Sequence, residues 1–192
     1  MSAALQRTIS PVNGSVYVER PLAEPATIDA ALDRAVTAQR AWRHTPLADR
    51  TAIVTRFVEH MESRADEFGA QLAWQMGRPI RYAPFEIRRG FAERARHMME
   101  IAPGLLTDIA AAPKEGFRRF IRRDPVGLIF IVAPWNYRIE TGTWFMNRCD
   151  YLDPELAWTG VKNTGHGCTL SVLGYEAFTR PKSFHLRLVT QP

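Results

Sequence analysis

The hydrophobic and polar positions near the N-terminus predict a β-hairpin that leads into helices. Two short segments, Thr8 to Val12 and Ser15 to Val18, flank Asn13-Gly14, and this dipeptide is the strongest short-range signal for a hairpin turn. Beyond Pro25 the apolar residues recur every three or four positions, which is the spacing of one face of a helix. The chain is therefore expected to open with a hairpin and to continue as amphipathic helices.

The first predicted helix ends near His44, and Thr27 is placed to cap its first turn. Thr45-Pro46 then starts a second helix. The stripe expected to be buried in that second helix consists of Ile53, Val54, Phe57 and Met61.

Two further helices are predicted before the pattern changes. The third has a capping-box-like start at Ser63-x-x-Asp66, and Gly77 and Pro79 stop it. The fourth runs from Pro84 to about Ile101, where Pro103-Gly104 is expected to break it.

The pattern then becomes extended. The segment from Phe117 to Arg123 is β-like, Asp124-Pro125 predicts a turn, and Val126 to Val132 is continuously apolar, as a strand buried on both faces of a parallel sheet requires. A ligand of such a sheet binds beyond the carboxyl end of the strand. After Tyr137 no crossover helix follows, so the parallel partner of this strand is expected to be missing and its apolar edge exposed. A chain with such an edge should aggregate or oligomerise.

The last part of the chain predicts mixed short elements. Asp153-Pro154 indicates a turn, and residues 160–167 form a Gly-rich loop. A short helix is expected around Leu170 to Phe178, followed by a terminal strand that places Phe184, Leu186 and Leu188 on one face.

Composition narrows the class of protein. The 192 residues are 46% hydrophobic and 23% charged, which is typical of a globular chain with a real core. The longest apolar run, Gly127 to Trp135, is less than half of the roughly 20 residues that cross a membrane, so no membrane association is expected. The N-terminus lacks the apolar stretch of a secretory signal, and Cys149 and Cys168 are the only cysteines. We therefore expect a cytoplasmic protein.

The charge balance raises nucleic acid as a partner. Twenty-five Lys and Arg residues against 20 Asp and Glu give a net charge of +5, with arginines concentrated in residues 78–96 and 118–123. Arginines spread over helices and an edge strand more often keep those faces solvated and the edge unpaired. We expect no nucleic-acid partner.

Three segments carry a resemblance to a known family. Residues 125–137, PVGLIFIVAPWNY, resemble the aldehyde dehydrogenase segment P-V-G-x-x-x-x-I-x-P-W-N-[FY]. Residues 141–147 are similar to the family's G-T-x-x-x-N strand, and residues 158–167 to its F-G-G-x-K-x-S-G-x-G motif. The hairpin, the helix ending in Trp42, and Gly77-Arg78-Pro79 extend the likeness to nearly the whole chain.

The resemblance implies an incomplete α/β aldehyde dehydrogenase fold. Residues 1–137 would be the N-terminal helices and part of the Rossmann-like cofactor domain, with an assembly strand near 117–123. Residues 138–192 would be the family's C-terminal segment with the Gly-rich motif and a terminal assembly strand at Phe184 to Leu188. The join would lie between Tyr137 and Arg138.

The same resemblance implies roles for individual residues. Asn136 would donate a hydrogen bond to the oxyanion that forms when a thiolate attacks an aldehyde, although Asn at a strand end is also an ordinary turn residue. Trp158 would stand near the substrate tunnel, or be a core aromatic residue. The wall of the channel for NAD or NADP would consist of Val132, Ala133, Pro134 and Trp135. No metal site is expected, because two cysteines and His166 supply too few ligands.

Several family motifs are absent from the chain. The sequence lacks the K-P-[SA]-E segment, the phosphate-side G-S turn, the E-L-G-G-K general base, the G-Q-x-C nucleophile and the E-x-F-G-P ribose contact. Neither Cys149 nor Cys168 replaces the nucleophile by motif, and each reads better as an inert thiol. The parent activity would be NAD(P)⁺-dependent oxidation of an aldehyde to an acid, which this chain is expected to have lost, together with tight cofactor binding.

Two other interpretations stay open. The chain could be a non-catalytic interaction module that pairs with itself or with a full-length aldehyde dehydrogenase subunit. Alternatively, the deletion could be an artefact of the gene model. The sequence does not identify the aldehyde or decide between NAD and NADP.

Overall fold

The computed structural model describes residues 4–131, 152–160 and 167–188. The chain divides into two compact units, Met1–Arg96 and His97–Pro192. The helices and strands of the described residues are β1 (Leu5–Ile9), β2 (Val16–Pro21), α1 (Pro25–Trp42), α2 (Leu47–Ser63), α3 (Ala65–Met76), a π-helical segment (Glu86–Phe91), α4 (Ala92–Leu105), β3 (Ile109–Ala110), β4 (Phe117–Pro125), β5 (Trp158–Thr159), β6 (Cys168–Thr169), α5 (Ser171–Ala177) and β7 (Thr179–Arg187).

The N-terminal hairpin is present, but its loop is longer than predicted. Strands β1 and β2 pair antiparallel, and the Ser10 amide donates to the Ser15 carbonyl at 2.8 Å, so the connection spans four residues instead of the two of Asn13-Gly14. The Asn13 carboxamide oxygen accepts from the Ser15 amide at 3.0 Å, and Gly14 has a φ of +73°, which favours glycine. Pro11 has no amide hydrogen for a ladder bond, which ends the strand early.

Helix α1 begins at Pro25, and the predicted cap was wrong. Glu24 is the N-cap residue, and the amide of Thr27 donates to the Glu24 carbonyl at 2.9 Å. Pro25 needs no amide partner at the first helical position, so the helix starts three residues earlier than a Thr27 cap would place it. The predicted end near His44 is confirmed, since Arg43 is the C-cap.

The core of the N-terminal unit is made of small side chains. Val58 of α2, Ala65, Ala83 and Ala92 are almost fully buried. The stripe predicted for α2 is not buried: Ile53, Val54 and Phe57 are 42%, 37% and 52% exposed, and Met61 is half-buried. Phe57 makes an edge contact with Phe91 at 5.7 Å between ring centroids, but nothing among the described residues covers its other side.

Helix α3 starts and ends by different means. Arg64 is its N-cap residue, and the predicted capping role of Ser63 was wrong, because α2 runs through Ser63 and its hydroxyl donates back to the His60 carbonyl at 2.8 Å. The predicted stop is confirmed. Gly77 has a φ of +72° and its amide donates to the Ala73 carbonyl at 2.9 Å.

The predicted fourth helix is present in altered form. Its first turns, Glu86–Phe91, are π-helical, and α4 then continues to Leu105. Pro103 was expected to break the helix, but it lies inside the last turn, where the helix ends two residues later and only one backbone bond is lost.

The C-terminal unit contains a three-stranded antiparallel sheet in the order β3-β4-β7. Nine residues of β4 pair with nine of β7, from Phe117 with Arg187 to Pro125 with Thr179. The predicted Asp124-Pro125 turn was therefore wrong, since both residues continue the strand. Within the ladder Pro125 lies in a pair whose backbone groups point away from β7, so its missing amide hydrogen costs no bond to that strand.

The apolar segment after β4 is not a strand. Residues 126–131 have no regular structure; Phe130 and Ile131 are 87% and 75% exposed. The prediction of a central strand from Val126 to Val132 was wrong for the described part, because a strand forms only where another strand supplies its hydrogen bonds. The predicted elements between residues 138 and 147 lie outside the described residues.

Candidate functional site

The predicted oxyanion and cofactor residues follow the exposed segment 126–131. Val132, Ala133, Pro134, Trp135 and Asn136 lie outside the described residues. Residues 128–131, the last described residues before them, are exposed and pair with no strand of the described sheet.

Trp158 is described, and a two-stranded ribbon holds it. Strands β5 and β6 pair antiparallel, with Trp158 opposite Thr169 and Thr159 opposite Cys168. The Thr169 hydroxyl donates to the Trp158 carbonyl at 3.4 Å, and the indole is half-buried. The ribbon thus brings Trp158 and Cys168 into one small element.

Cys168 is a free, half-buried cysteine whose Sγ lies 3.7 Å from the Thr169 carbonyl oxygen. Cys149 lies outside the described residues.

A strained turn follows the ribbon. Leu170 and Ser171 have φ values of +64° and +52°, which non-glycine residues seldom adopt. Ser171 is 7% exposed, its amide donates to the Pro154 carbonyl at 2.8 Å, and its hydroxyl accepts from the Leu173 amide at 3.2 Å. The bond to the Pro154 carbonyl holds the first turn of α5 against the loop containing Pro154, and the bond from Leu173 lies within that turn. Ser171 is not predictable from the sequence, because a lone serine at the start of a short helix has no distinctive pattern.

The same loop confirms one predicted turn. The Asp153 carboxylate accepts from the Glu155 amide at 3.0 Å, and the Leu156 amide donates to the Asp153 carbonyl at 3.1 Å. The predicted helix around Leu170 to Phe178 is also confirmed as α5. Its Tyr175 hydroxyl donates to the Met98 carbonyl at 2.5 Å, which fixes α5 on the C-terminal part of α4.

The β4–β7 face has a cation-aromatic arrangement. Phe120 of β4 stacks on Phe184 of β7, with ring centroids 4.7 Å apart and planes 9° from parallel. The Arg122 guanidinium lies 5.3 Å and 5.0 Å from the two ring centroids. It also donates to both Asp108 carboxylate oxygens, at 3.1 and 3.2 Å, and these bonds raise the pKa of Arg122. Asp108 therefore holds the cation across the stacked pair.

Among the described residues no strand pairs with the outer edge of β7, and Pro181 partly blocks this edge. The Val126 amide donates to the Phe178 carbonyl, and the Leu188 amide donates to the Gly116 carbonyl. Even-numbered residues of β7 therefore point their backbone groups at β4, and odd-numbered residues point theirs outward. Pro181 is one of the outward residues and has no amide hydrogen to offer. Only the half from Ser183 to Arg187 presents an unbroken set of donors and acceptors.

Two features bear on other kinds of site. Among residues 4–131, 152–160 and 167–188, no three His, Cys, Asp or Glu side chains come close enough together to hold a metal ion. In the same ranges, no helix is both long and apolar enough to span a bilayer.

Comparison with known proteins places the chain in a family. The sequence model of the Aldehyde dehydrogenase family matches residues 2–139, so the chain belongs to this family. The match ends next to the predicted join between Tyr137 and Arg138. The fold class is confirmed as a partial, mixed helix-and-sheet match to aldehyde dehydrogenase structures.

Particular relatives show how much of the family is present. The succinate-semialdehyde dehydrogenase [NADP(+)] of Deinococcus radiodurans is 30% identical over 130 residues, which cover 68% of this chain and 27% of that protein. The solved structure of an indole-3-acetaldehyde dehydrogenase in apo form matches with a TM-score of 0.64 at 27% identity, over 72% of this chain and 33% of that one. An NAD-dependent benzaldehyde dehydrogenase from Corynebacterium glutamicum matches with a TM-score of 0.55 at 28% identity, over 62% and 26%. The chain spans about a quarter of the length of the curated relatives that it matches.

Proposed function

We propose that the parent protein oxidises an aldehyde to a carboxylic acid with NAD(P)⁺, and that these 192 residues have no turnover by themselves. The family match over residues 2–139 carries the first part of the proposal. The absence of the nucleophile and general-base motifs from the sequence supports the second, since thiolate attack and thioester hydrolysis both need those groups. Asn136 would keep its oxyanion role only where the missing parts are supplied.

A turnover assay tests this proposal. The purified chain is mixed with NAD⁺ or NADP⁺ and a panel of aliphatic and aromatic aldehydes, and formation of the reduced cofactor is followed by absorbance. No rate above the protein-free background is expected. A rate that disappears on Cys149→Ser or Cys168→Ser, but survives Ser171→Ala, would show that a C-terminal cysteine serves as nucleophile.

The second candidate function is assembly, and one observation favours it. Strands β4 and β7, which are separated in the sequence by the 53 residues between Pro125 and Thr179, form a complete nine-residue ladder. The resemblance assigns assembly to the same two strand regions. We propose residues 1–137 as the family's N-terminal part, residues 138–192 as its C-terminal part, and the sheet as the element that joins a second copy or a full-length subunit, with the cytoplasm as the compartment.

The half-edge Ser183 to Arg187 is the place where such a strand would be added. Ser183→Pro removes an outward amide hydrogen at a position equivalent to Pro181, which the strand already accommodates. Association measured by light scattering should fall with Ser183→Pro and stay unchanged with Ser183→Ala, which keeps the amide. Equal association of the two variants would exclude strand addition at this edge.

A further inference from the structure

The positive charge of this chain is concentrated in the β4–β7 ladder. Strand β4 carries four arginines and one aspartate, and β7 carries two arginines and one lysine, so these eighteen residues hold a charge of +6. The whole chain has a net charge of +5, so all the other residues together are close to neutral. Arginines protect an open edge strand from pairing, but β4 lies between β3 and β7. The expectation of no nucleic-acid partner rested in part on that edge role, which β4 does not have.

Most cations of the ladder lack a carboxylate partner, in contrast to the arginines of the N-terminal unit. The arginines of that unit that form ion pairs with carboxylates include Arg7, Arg64, Arg78, Arg88 and Arg96. Of the seven ladder cations, only Arg122 and Lys182 form an ion pair within the part of the chain that the structure describes, with Asp108 and Asp124 respectively. The other five are Arg118, Arg119, Arg123, Arg180 and Arg187. A surface with this much uncompensated positive charge attracts an anionic partner.

One face of the ladder combines cations with aromatic rings. Side chains alternate between the two faces along a strand, and residues directly opposite each other in an antiparallel pair share a face. Phe120 and Phe184 therefore form a row across this face, between a row that holds Arg122 opposite Lys182 and a row that holds Arg118. The Arg118 guanidinium lies 5.1 Å from the Phe120 ring centroid, and the Lys182 ammonium lies 5.6 Å from that of Phe184. These five side chains form the aromatic face of the ladder.

The aromatic face is accessible and has the chemistry of a surface for single-stranded nucleic acid. The side chains of Arg122 and Lys182 are 46% and 61% exposed, Arg118 is exposed, and Phe184 is half-buried. Proteins bind single strands by pairing cations with phosphates and by stacking unpaired bases on aromatic rings or guanidinium planes. Phe120 is almost buried, so Phe184 and the Arg122 guanidinium supply the stacking surface. An acidic peptide would engage the cations alone.

We propose that the aromatic face binds single-stranded nucleic acid. Arg118 and Lys182 contact phosphates on the two sides of the ring pair. Bases stack on Phe184 and on the guanidinium of Arg122, which Asp108 holds in place across the rings. This surface uses side chains of the ladder, so it is separate from the backbone edge of β7, and it does not rest on the proposed aldehyde oxidation.

Fluorescence anisotropy of a labelled oligouridylate with the full 192-residue chain tests the phosphate contacts. A cation that contacts a phosphate of a single strand adds about 0.7 to the slope of log affinity against log salt, which is roughly fivefold in affinity at 0.1 M salt. Arg118→Gln should therefore weaken binding about fivefold and reduce the slope by about 0.7. The control Arg34→Gln removes the same charge from an exposed position of α1 and should change neither. Equal effects of the two variants, or no binding by the unaltered chain at low salt, would overturn the proposal.

Variants of Phe184 test the stacking contact and the class of partner. Phe184→Leu should weaken binding of the oligouridylate about tenfold without changing the salt slope, because a base loses its aromatic platform and no phosphate contact is lost. Phe184→Tyr keeps the ring and should bind like the unaltered chain, and circular dichroism checks that both variants are folded. Polyglutamate at the same charge concentration should compete poorly. Equal binding by the two variants would overturn the proposal, and full displacement by polyglutamate would overturn it in favour of an acidic polypeptide.

Discussion

Replacing Gly69 by alanine should destabilise the N-terminal unit, although alanine is the better helix former. Gly69 is buried in α3, where the chain after Gly77 returns across it. A Cβ atom at this position would lie 2.7 and 2.8 Å from Cγ and Cδ of Pro84, and 2.9 Å from its backbone nitrogen. Neither the proline ring nor the backbone can rotate away, so α3 and the segment before Glu86 would have to separate.

The magnitude follows from two opposing contributions. Gly to Ala in a helix interior gains about 1 kcal/mol of helix propensity. Inserting a methyl group into a closed contact costs about 1–3 kcal/mol, and the approach to within 2.7 Å places this site at the upper end. The net loss of unfolding free energy should be about 2 kcal/mol. For a unit of this size, that corresponds to a fall in Tm of roughly 8–16 °C.

Thermal unfolding followed by circular dichroism at 222 nm measures this loss. The matched control is Gly90→Ala in the same unit, where the nearest atom to a new Cβ is a Glu86 carboxylate oxygen at 3.6 Å, an ordinary contact distance. Gly90→Ala should unfold at or above the wild-type temperature. Equal melting temperatures for Gly69→Ala and Gly90→Ala would show that the approach of Pro84 to α3 is not as close as described.

Three further predictions concern the ion pairs, the sheet and the cofactor. The Arg96 guanidinium donates to the Glu62 carboxylate at 2.9 Å and lowers the pKa of Glu62. The pair should therefore stabilise the chain fully above about pH 4.5, and this stabilisation should be lost as the pH falls through the lowered pKa of Glu62. Arg96→Gln should flatten that part of the acid-unfolding profile, whereas the control Arg56→Gln should leave it unchanged. Phe120→Ala should lower the unfolding free energy by about 3 kcal/mol in urea titrations, because Phe120 is only 8% exposed and its ring stacks on Phe184. Leu186 is 45% exposed, so the control Leu186→Ala should lower the unfolding free energy by less than about 1 kcal/mol. NAD⁺ should bind more weakly than about 1 mM by calorimetry, equivalent to only ~4 kcal/mol, and micromolar binding would contradict the proposed loss of the cofactor site.

Local sequence signals predicted the elements that depend on nearby residues. The hairpin, the Gly77 stop, the Asp153-Pro154 turn and α5 all follow from short-range turn and periodicity rules, and the structure confirms them. Helix caps were less predictable, because Thr27 and Ser63 can serve either as caps or inside a turn. The buried stripe of α2 and the strand after Pro125 were wrong for a different reason. Both patterns indicate burial against partners that the described residues do not supply.

The candidate site was predictable only through the family motifs. Trp158 is described in a ribbon with Cys168, and no periodicity could have paired these two residues. Ser171 and Tyr175, which fix α5, carry no sequence signal because their bonds go to backbone carbonyls distant in sequence. Pairing of β4 with β7 likewise needs knowledge of which distant strands meet. Alternation identifies each strand and says nothing about its neighbour.

Strand β4, in the middle of the chain, and β7, near its C-terminus, form one sheet in a chain of the aldehyde dehydrogenase family, and cross-linking tests this pairing directly. Ile121 of β4 and Ser183 of β7 lie directly opposite each other, and their backbones do not hydrogen-bond to one another. Antiparallel pairs of this type have the shorter Cα–Cα distance, which suits a disulfide. In a background with Cys149→Ser and Cys168→Ser, the double variant Ile121→Cys with Ser183→Cys should form an intrachain disulfide on mild oxidation, detected by mass spectrometry of the digested monomer. The control, Ile121→Cys with Lys182→Cys, places the two thiols on opposite faces and should remain reduced. Equal cross-linking of both pairs, or of neither, would contradict the β4–β7 register.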